Sequence, residues 1–512
     1  MSPVRNKFAA AIAVAASAAL VLTTGSTAVA EPKPDTKLAR QLAKKVSVDK
    51  MNRHLIAFQR IADSSDGHRA SSTAGYDRSA EYIANKMEAA GFTVTRQEFP
   101  FVYSETLAER LTIGGEDVPI IIMSYSPSTP EGGITAPLAS VPVDDTPGCE
   151  AADYQGVDVA GKIALIKRGA CTFAVKQQLA ADAGAVGAII YNNVDGPING
   201  TLGDPDAGRI PTGGMSKVDG EALVARAGEE ANLELRALTE ERTTYNVFAE
   251  TKTGRKDNVV MAGAHLDSTP AGPGISDNGT GSAALIETAL ALGGSPKVNN
   301  AVRFAWWGAE EFGLLGSEYY VENLTFEEQL DISMYLNFDM IGSPNAGYFV
   351  YDGDDSDGVG AGPGPEGSAQ IEAAFVDYIE TKKDTPTEGT DFTGRSDYGP
   401  FIAVGIPAGG LFTGAEGIKT EEQAEKWGGE AGVAYDPCYH QECDDLGNVD
   451  RVALNVNGKA AAWVIGLYGT STEGVNGMAP GSKKSSKQKA AERAQERMLT
   501  AHEHGHDHEA RA

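Results

Sequence analysis

Cysteine, histidine and positive charge are all scarce in this chain, and each scarcity narrows what it can be. Four Cys in 512 residues exclude a disulfide-scaffolded miniprotein. None of their spacings is C-x-x-C, which argues against a Cys-ligated zinc site. Lys and Arg number 43 against 71 Asp and Glu, a formal charge of -28, so a protein that tracks nucleic acid phosphates is disfavoured. Beyond the N-terminus no apolar run approaches the roughly 18 residues that suggest a membrane span. Of eight His, His502, His504, His506 and His508 crowd the C-terminus, leaving His54, His68, His265 and His440 for a folded body. Imidazole chemistry in that body has few candidates.

What is present reads as a globular chain of two or three domains, with 41% hydrophobic residues and 60 Gly. Arg5 and Lys7, an apolar run from Phe8 to Leu22, and Ala28-Val29-Ala30 form a secretory signal peptide over residues 1–30, too short in its apolar part to span a bilayer. Secretion makes disulfides available, and the four Cys fall into two local pairs, Cys149 with Cys171 and Cys438 with Cys443. Residues 31–49 are polar and read as a mobile leader. Residues 476–512 are Lys-rich and then His-rich, the composition of a disordered tail able to collect metal.

Between leader and tail the pattern changes twice. Asp77 to Ala90 carries Ala80, Ile83, Met87 and Ala90 at helical spacing, closed by Gly91, and Thr93 to Phe99 alternates like a strand. From Ile134 to Thr243 the chain has its own strands (Lys162 to Ile166, Gly187 to Tyr191), a helix (Thr172 to Ala185) and one Cys pair, enough to fold alone. From Tyr245 strand, loop and helix repeat, which predicts an α/β sheet. Asn258 to Ala264, Ala301 to Trp307 and Ile332 to Phe338 are continuous apolar runs of strand length, followed or separated by helices over Gly281 to Leu292 and Leu314 to Asn323. The last core element is predicted over Val452 to Tyr468.

Each of the three strands ends in groups that bind metal, and ligands collect at the carboxyl ends of such strands. The first ends at His265-Leu266-Asp267, with Asp277 in its loop; the second reaches Glu310-Glu311; the third reaches Asp339. His440 lies between two Cys in DPCYHQEC. Two imidazoles with three carboxylates suit zinc or a similar divalent ion. Five protein ligands on one ion would leave no open position, so two ions sharing a carboxylate is the more economical arrangement. Adjacent Glu310 and Glu311 point to opposite sides, so one can ligate while the other serves as the base for a water. Asp267 is placed to orient the His265 ring.

Taken together, AHLDS, GISDNGTG, WWGAEEFGLLGS, NFDMIG and PCYHQECD resemble the motifs, in order, of the secreted bacterial dizinc aminopeptidases, zinc exopeptidases related to glutamate carboxypeptidases. The stretch around GCEAADYQGVDVAGKIALIKRGACTF resembles the protease-associated (PA) domain. The fold implied is a zinc-exopeptidase-type α/β domain over residues 50–130 and 243–475, its mixed, mostly parallel sheet flanked by helices and interrupted by a smaller β-rich α/β insert over residues 131–242. The resemblance implies His265 and Asp339 on one zinc, Glu311 and His440 on the other, Asp277 bridging, and Glu310 as general base. It also implies Tyr439 as a donor to the oxyanion, Arg395 in GRSDYGPF as a substrate-binding residue, and a cis peptide at Asp277-Asn278.

The activity implied is removal of N-terminal, large apolar residues such as Leu from peptides with a free N-terminus. The secreted chain is expected to be a monomer with no nucleic acid or membrane partner. Two other readings stay open: a carboxypeptidase of the glutamate carboxypeptidase type, and a receptor-like binding protein, which would lack the ligands. The acidic run Asp352 to Asp357 offers oxygen ligands of the kind calcium takes, against the plainer reading of a solvated loop.

Overall fold

The computed structural model of the chain describes residues 36–360 and 362–482; the expected signal peptide, and the tail from residue 483 with its four His, lie outside them. From Lys37 the segment read as a mobile leader is helical. α1 (Lys37–Lys45) and α2 (Val48–Asp63) bury Ala39, Leu42, Val46, Met51, Leu55 and Phe58. Polar composition hid the fact that Leu38, Leu42 and Val46 recur at four-residue spacing and so form one stripe. α1 packs on the helix Arg451–Thr470, where a Cβ at Gly466 would sit 2.7 Å from the Ala39 Cα. Burial of a leucine such as Leu42 contributes on the order of 1.5–3 kcal/mol. The chain beyond that helix is also tied down, since Arg255 donates to the Ser482 carbonyl.

α3 (Ala74–Ala89) starts one turn earlier than its periodicity suggests, and β1 (Thr93–Ile113) runs far past Phe99. β2 (Glu116–Val118) and β3 (Ile121–Ile122) come next, and the insert then supplies β4 (Ile134–Ser140), β5 (Ile163–Lys167), α4 (Phe173–Asp182), β6 (Gly187–Tyr191), β7 (Thr212–Met215) and α5 (Lys217–Val224). The chain returns along β8 (Glu230–Glu250) into β9 (Arg255–His265), α6 (Thr280–Leu292), β10 (Asn300–Trp307), α7 (Leu315–Glu322), α8 (Phe326–Asp331) and β11 (Ile332–Phe338). It ends with β12 (Phe349–Tyr351), α9 (Ser368–Lys383), β13 (Glu388–Thr390), α10 (Gly399–Ala403), β14 (Ala408–Phe412), α11 (Glu421–Trp427), α12 (Arg451–Thr470) and α13 (Glu473–Asn476).

The main sheet has the order β13-β12-β14-β11-β9-β10-β8. β14, β11, β9 and β10 are parallel, with β12 and β8 antiparallel on either side. Its strands are apolar throughout because both faces are covered. Val260, Ala262, Phe304, Trp306 and Leu336 join the core beneath α2, α6 and α12, while Met261, Ala305, Trp307 and Tyr335 pack on the other face with Tyr320 and Phe401. The insert repeats the plan on a smaller scale: Ile163, Leu165 and Ile189 face one cluster, Ala164, Ile166 and Ile190 the other. β1 and β8 pair antiparallel from Thr93↔Glu250 to Ile113↔Ala231, and β8 continues the main sheet at one end and the insert's sheet at the other. A two-stranded ribbon, not a pair of loose linkers, joins the two parts.

Because β9, β10, β11 and β14 run the same way, their carboxyl ends share one edge of the sheet. The segment Ile275–Gly279 crosses that edge and is pinned to the end of β11. Asn278 Nδ2 donates to the Phe338 carbonyl at 2.9 Å, while its Oδ1 accepts the amides of Gly281 at 3.0 Å and Met340 at 3.2 Å. Gly281 permits the approach, since a Cβ there would lie 2.1 Å from the Phe338 oxygen. The Asp277-Asn278 peptide within this segment is cis.

Candidate metal centre

The strand ends converge as the sequence suggests. His265, the last residue of β9, is 1% exposed, and its Nε2 lies 3.1 Å from Asp277 Oδ1, 3.2 Å from Asp339 Oδ1 and 3.9 Å from Glu310 Oε2. His440 approaches from the opposite side, with Nε2 3.2 Å from Asp277 Oδ2 and 2.9 Å from Glu311 Oε2. Asp277 therefore offers one oxygen to each imidazole. Glu310 and Glu311, adjacent after β10, divide as expected: Glu311 faces His440, and Glu310 faces His265.

His440 sits on the rim, at φ +58, inside the short loop closed by Cys438–Cys443. The second disulfide, Cys149–Cys171, forms in the insert. Tyr439 stacks on the His440 ring with centroids 3.7 Å apart. Arg395 donates from one nitrogen to Tyr439 Oη at 3.3 Å and from another to Glu416 Oε1 at 2.8 Å.

Asp267 does not hold the His265 ring in the manner expected. The ring Nδ1 meets the main-chain carbonyl of Asp267 at 3.1 Å, with the carboxylate farther away at 3.7 Å. That carboxylate instead accepts the Glu310 amide at 3.3 Å. Asp267 thus couples the two loops, its carbonyl setting the imidazole and its side chain setting the backbone of Glu310.

Three further residues support the centre and were not singled out from sequence. Ser396 donates to Asp339 Oδ2 at 2.6 Å and accepts from Asn337 Nδ2 at 2.8 Å. Asp444 accepts the amides of Ser276 and Asp277 at 2.8 and 3.0 Å, linking the loop that carries His440 to the one that carries Asp277. Arg69 is fully buried beside the same loop. Ser396 and Asp444 are neighbours of residues already quoted in GRSDYGPF and PCYHQECD, so position within a motif could have found them. Arg69 stands far from every motif.

The electrostatics show what the cluster needs. Burial and the carboxylates of Asp339, Asp397 and Glu311 hold Glu310 well above the usual carboxylate range, against the opposing pull of His265. Burial and then Asp277 push Glu311 up to about 7. Burial would depress His440, yet Glu311 and Asp277 raise it to about 11. Burial would depress His265 as well, yet Asp339 and Glu310 hold it well above its ordinary range, and Glu311 Oε1 is buried without a hydrogen-bond partner. Carboxylates converging in this way call for a cation, and two imidazoles with three carboxylates, Glu310 standing beside them, are a donor set zinc takes. The residues fit such an ion.

The acidic loop after β12 is different. Asp352 accepts the amides of Asp354, Ser356 and Asp357 at 3.1–3.3 Å, and Glu372 accepts that of Gly353 at 2.8 Å. Asp352 and Glu372 thus brace the loop, and with Asp354 they each bring an oxygen within 4.8 Å of the others, close enough to share an ion.

Beside the centre opens a cavity of about 300 Å³. Met340, Phe349, Tyr351, Phe412 and Tyr435 supply its apolar surface, and Arg395, Glu416 and Tyr439 supply polar groups. No residue of the insert lines it among the described residues.

A parallel sheet that collects two imidazoles and several carboxylates around a shared aspartate defines a metallohydrolase centre. Residues 246–465 match Peptidase family M28 and residues 134–223 match the PA domain. The chain is 48% identical over 446 residues to a protein of Mycobacterium tuberculosis described as a probable lipoprotein aminopeptidase, covering 86% of this chain and 89% of that one. It is 45% identical to leucine aminopeptidase 2 of Trichophyton tonsurans, covering 82% of this chain and 84% of the relative. Among solved structures, a zinc aminopeptidase from Bacillus subtilis matches with a TM-score of 0.58 at 29% identity, covering 81% of this chain and 94% of that one. The chain belongs to peptidase family M28 and carries a PA domain.

Proposed function

We propose that the chain is a zinc-dependent aminopeptidase that removes large apolar residues from the N-termini of peptides. Its centre would hold two zinc ions, His265 and Asp339 on one, Glu311 and His440 on the other, and Asp277 on both. Held by these residues, zinc would supply a more acidic water and a Lewis acid for the carbonyl of the scissile bond. Glu310 takes the proton of that water and returns it to the leaving amine; its carboxylate stands beside the centre, 3.9 Å from His265 Nε2. Tyr439 accepts a hydrogen bond from Arg395, which leaves the phenolic proton free to donate to the oxyanion of the tetrahedral state.

The charge of the cavity carries the choice between the two exopeptidase readings. A carboxypeptidase needs a free cation for the substrate's C-terminal carboxylate. Arg395 is the only Lys or Arg in the cavity lining among the described residues, and Glu416 pairs with it at 2.8 Å. The carboxylates of Glu310 and Asp339 favour instead an α-ammonium group. The names of the relatives point the same way, and the apolar walls suit a Leu-sized side chain. The receptor-like reading lacks support, because the full ligand set and the base are together in one centre.

Among the described residues no helix is long and apolar enough to cross a membrane, and we place the enzyme outside the cell on the strength of its N-terminal sequence. Leucine p-nitroanilide and its N-acetyl derivative test the proposal together. The free amine should be cleaved at least about 10²-fold more efficiently, because the blocked substrate leaves the acidic end of the cavity unpaired; equal cleavage would contradict the aminopeptidase assignment.

A further inference from the structure

Arg69 is one of the largest side chains in the chain to be wholly buried, and it meets no carboxylate at ion-pair distance among the described residues. Its guanidinium instead donates to three main-chain carbonyls. Nε reaches the Pro273 oxygen at 2.8 Å, one terminal nitrogen reaches Gly274 at 2.5 Å, and the other reaches Leu266. The backbone is tied to the same loop, since the Arg69 amide donates to Ser268 Oγ at 2.9 Å and Ser268 Oγ lies 3.0 Å from the Gly272 carbonyl. Phe58 closes the assembly, with its ring centroid 5.0 Å from the guanidinium carbon.

These carbonyls occupy a particular place in the chain. Leu266 follows the ligand His265, and Pro273 and Gly274 shortly precede the ligand Asp277, so the guanidinium spans both ends of the loop between two ligands. This loop belongs to no helix or strand, and of the three carbonyls only that of Gly274 also accepts a main-chain amide among the described residues, from Gly279 at 3.1 Å. A planar fork with five donors can hold three of them at a fixed separation; a single ammonium cannot. The charge also suits the site. Asp267, Asp277, Glu311 and Asp444 surround it at a distance and sustain the cation against burial. The neighbouring residues extend the brace to the other catalytic loop, because Ser71 Oγ accepts the amide of Ala309, next to Glu310, at 2.7 Å.

We propose that Arg69 is a positioning residue of the metal centre: by clamping the carbonyls of Leu266, Pro273 and Gly274 it fixes the span between His265 and Asp277 and so sets zinc affinity. The inference rests on the metal-centre reading, which zinc uptake by the unaltered protein tests separately.

The test compares wild type, Arg69→Lys, Ser268→Ala and, as a control for general destabilisation, Leu42→Ala in the distant α1. Each is stripped of metal, melted, and titrated with zinc against a chromophoric chelator. Arg69→Lys keeps the charge but not the fork, and its zinc affinity should fall about 10- to 100-fold. Leu42→Ala should lower the melting temperature with zinc affinity unchanged. Arg69→Lys with wild-type zinc affinity, or an equal loss of affinity in Leu42→Ala, overturns the proposal. If Arg69→Lys does not fold, Ser268→Ala decides: a loss of threefold or more supports the clamp, and unchanged affinity overturns it.

Discussion

Glu310→Gln should lower kcat by about 10²–10⁴-fold while the protein keeps its full complement of zinc and nearly its KM. Gln has the shape of Glu, and the Glu310 amide that anchors the loop to Asp267 is untouched. What disappears is the ability to take a proton from the attacking water and deliver it to the leaving amine. Steady-state kinetics on a leucine anilide, with metal analysis of the same preparation, reads both quantities. A variant that turns over near the wild-type rate would move the base elsewhere. Asp397, buried and held at about 8 by its burial, with Asp339 and Asp267 adding to the effect of burial, would be the next carboxylate to examine.

Asp277→Asn should remove more than activity. Among the described residues Asp277 is the one side chain that addresses both imidazoles, with Oδ1 3.1 Å from His265 and Oδ2 3.2 Å from His440. An amide offers a single neutral oxygen, so it cannot serve both sides. Zinc retained after dialysis should fall below about one ion per chain, and turnover should fall by about 10³-fold or more. Retention of two zincs would show that Asp277 is not shared. The folded chain itself should survive, because Asp444 holds the main-chain amides of Ser276 and Asp277, and the substitution leaves both in place.

The charge balance sets the direction in which pH acts on this experiment. Without zinc, His440 is raised from its ordinary 6.5 to about 11 by Glu311 and Asp277, so it carries a proton at neutral pH. That attraction supports the zinc-free form fully below pH 6.5 and fades as pH rises through about 11. Zinc must displace the proton, so its affinity strengthens as pH rises from 6 to 8.

Much of this centre was legible because its parts obey short-range rules. Strand ends in a parallel sheet are where ligands gather, and His265, Glu310, Glu311 and Asp339 each follow an apolar run that can only be a doubly covered strand. The two local Cys pairs could be read in the same way from spacing and compartment. Long-range contacts were not legible. The helix α1 in the leader escaped notice because its burial depends on Gly466, over four hundred residues away, which leaves room for Ala39. Arg69 escaped for the same reason, since its partners Leu266, Pro273 and Gly274 lie about two hundred residues downstream. Asp267 was found but its role was altered. Sequence shows a carboxylate two residues from His265, whereas backbone geometry decides that the carbonyl takes the ring nitrogen and the carboxylate takes Glu310.

Titration of the stripped protein with zinc, following bound metal and leucine anilide hydrolysis together, tests the central claim most directly. The arrangement of two imidazoles around one shared aspartate predicts uptake of two zinc ions per chain, with full turnover reached only as the second is taken up. Saturation at one ion with full turnover would contradict it.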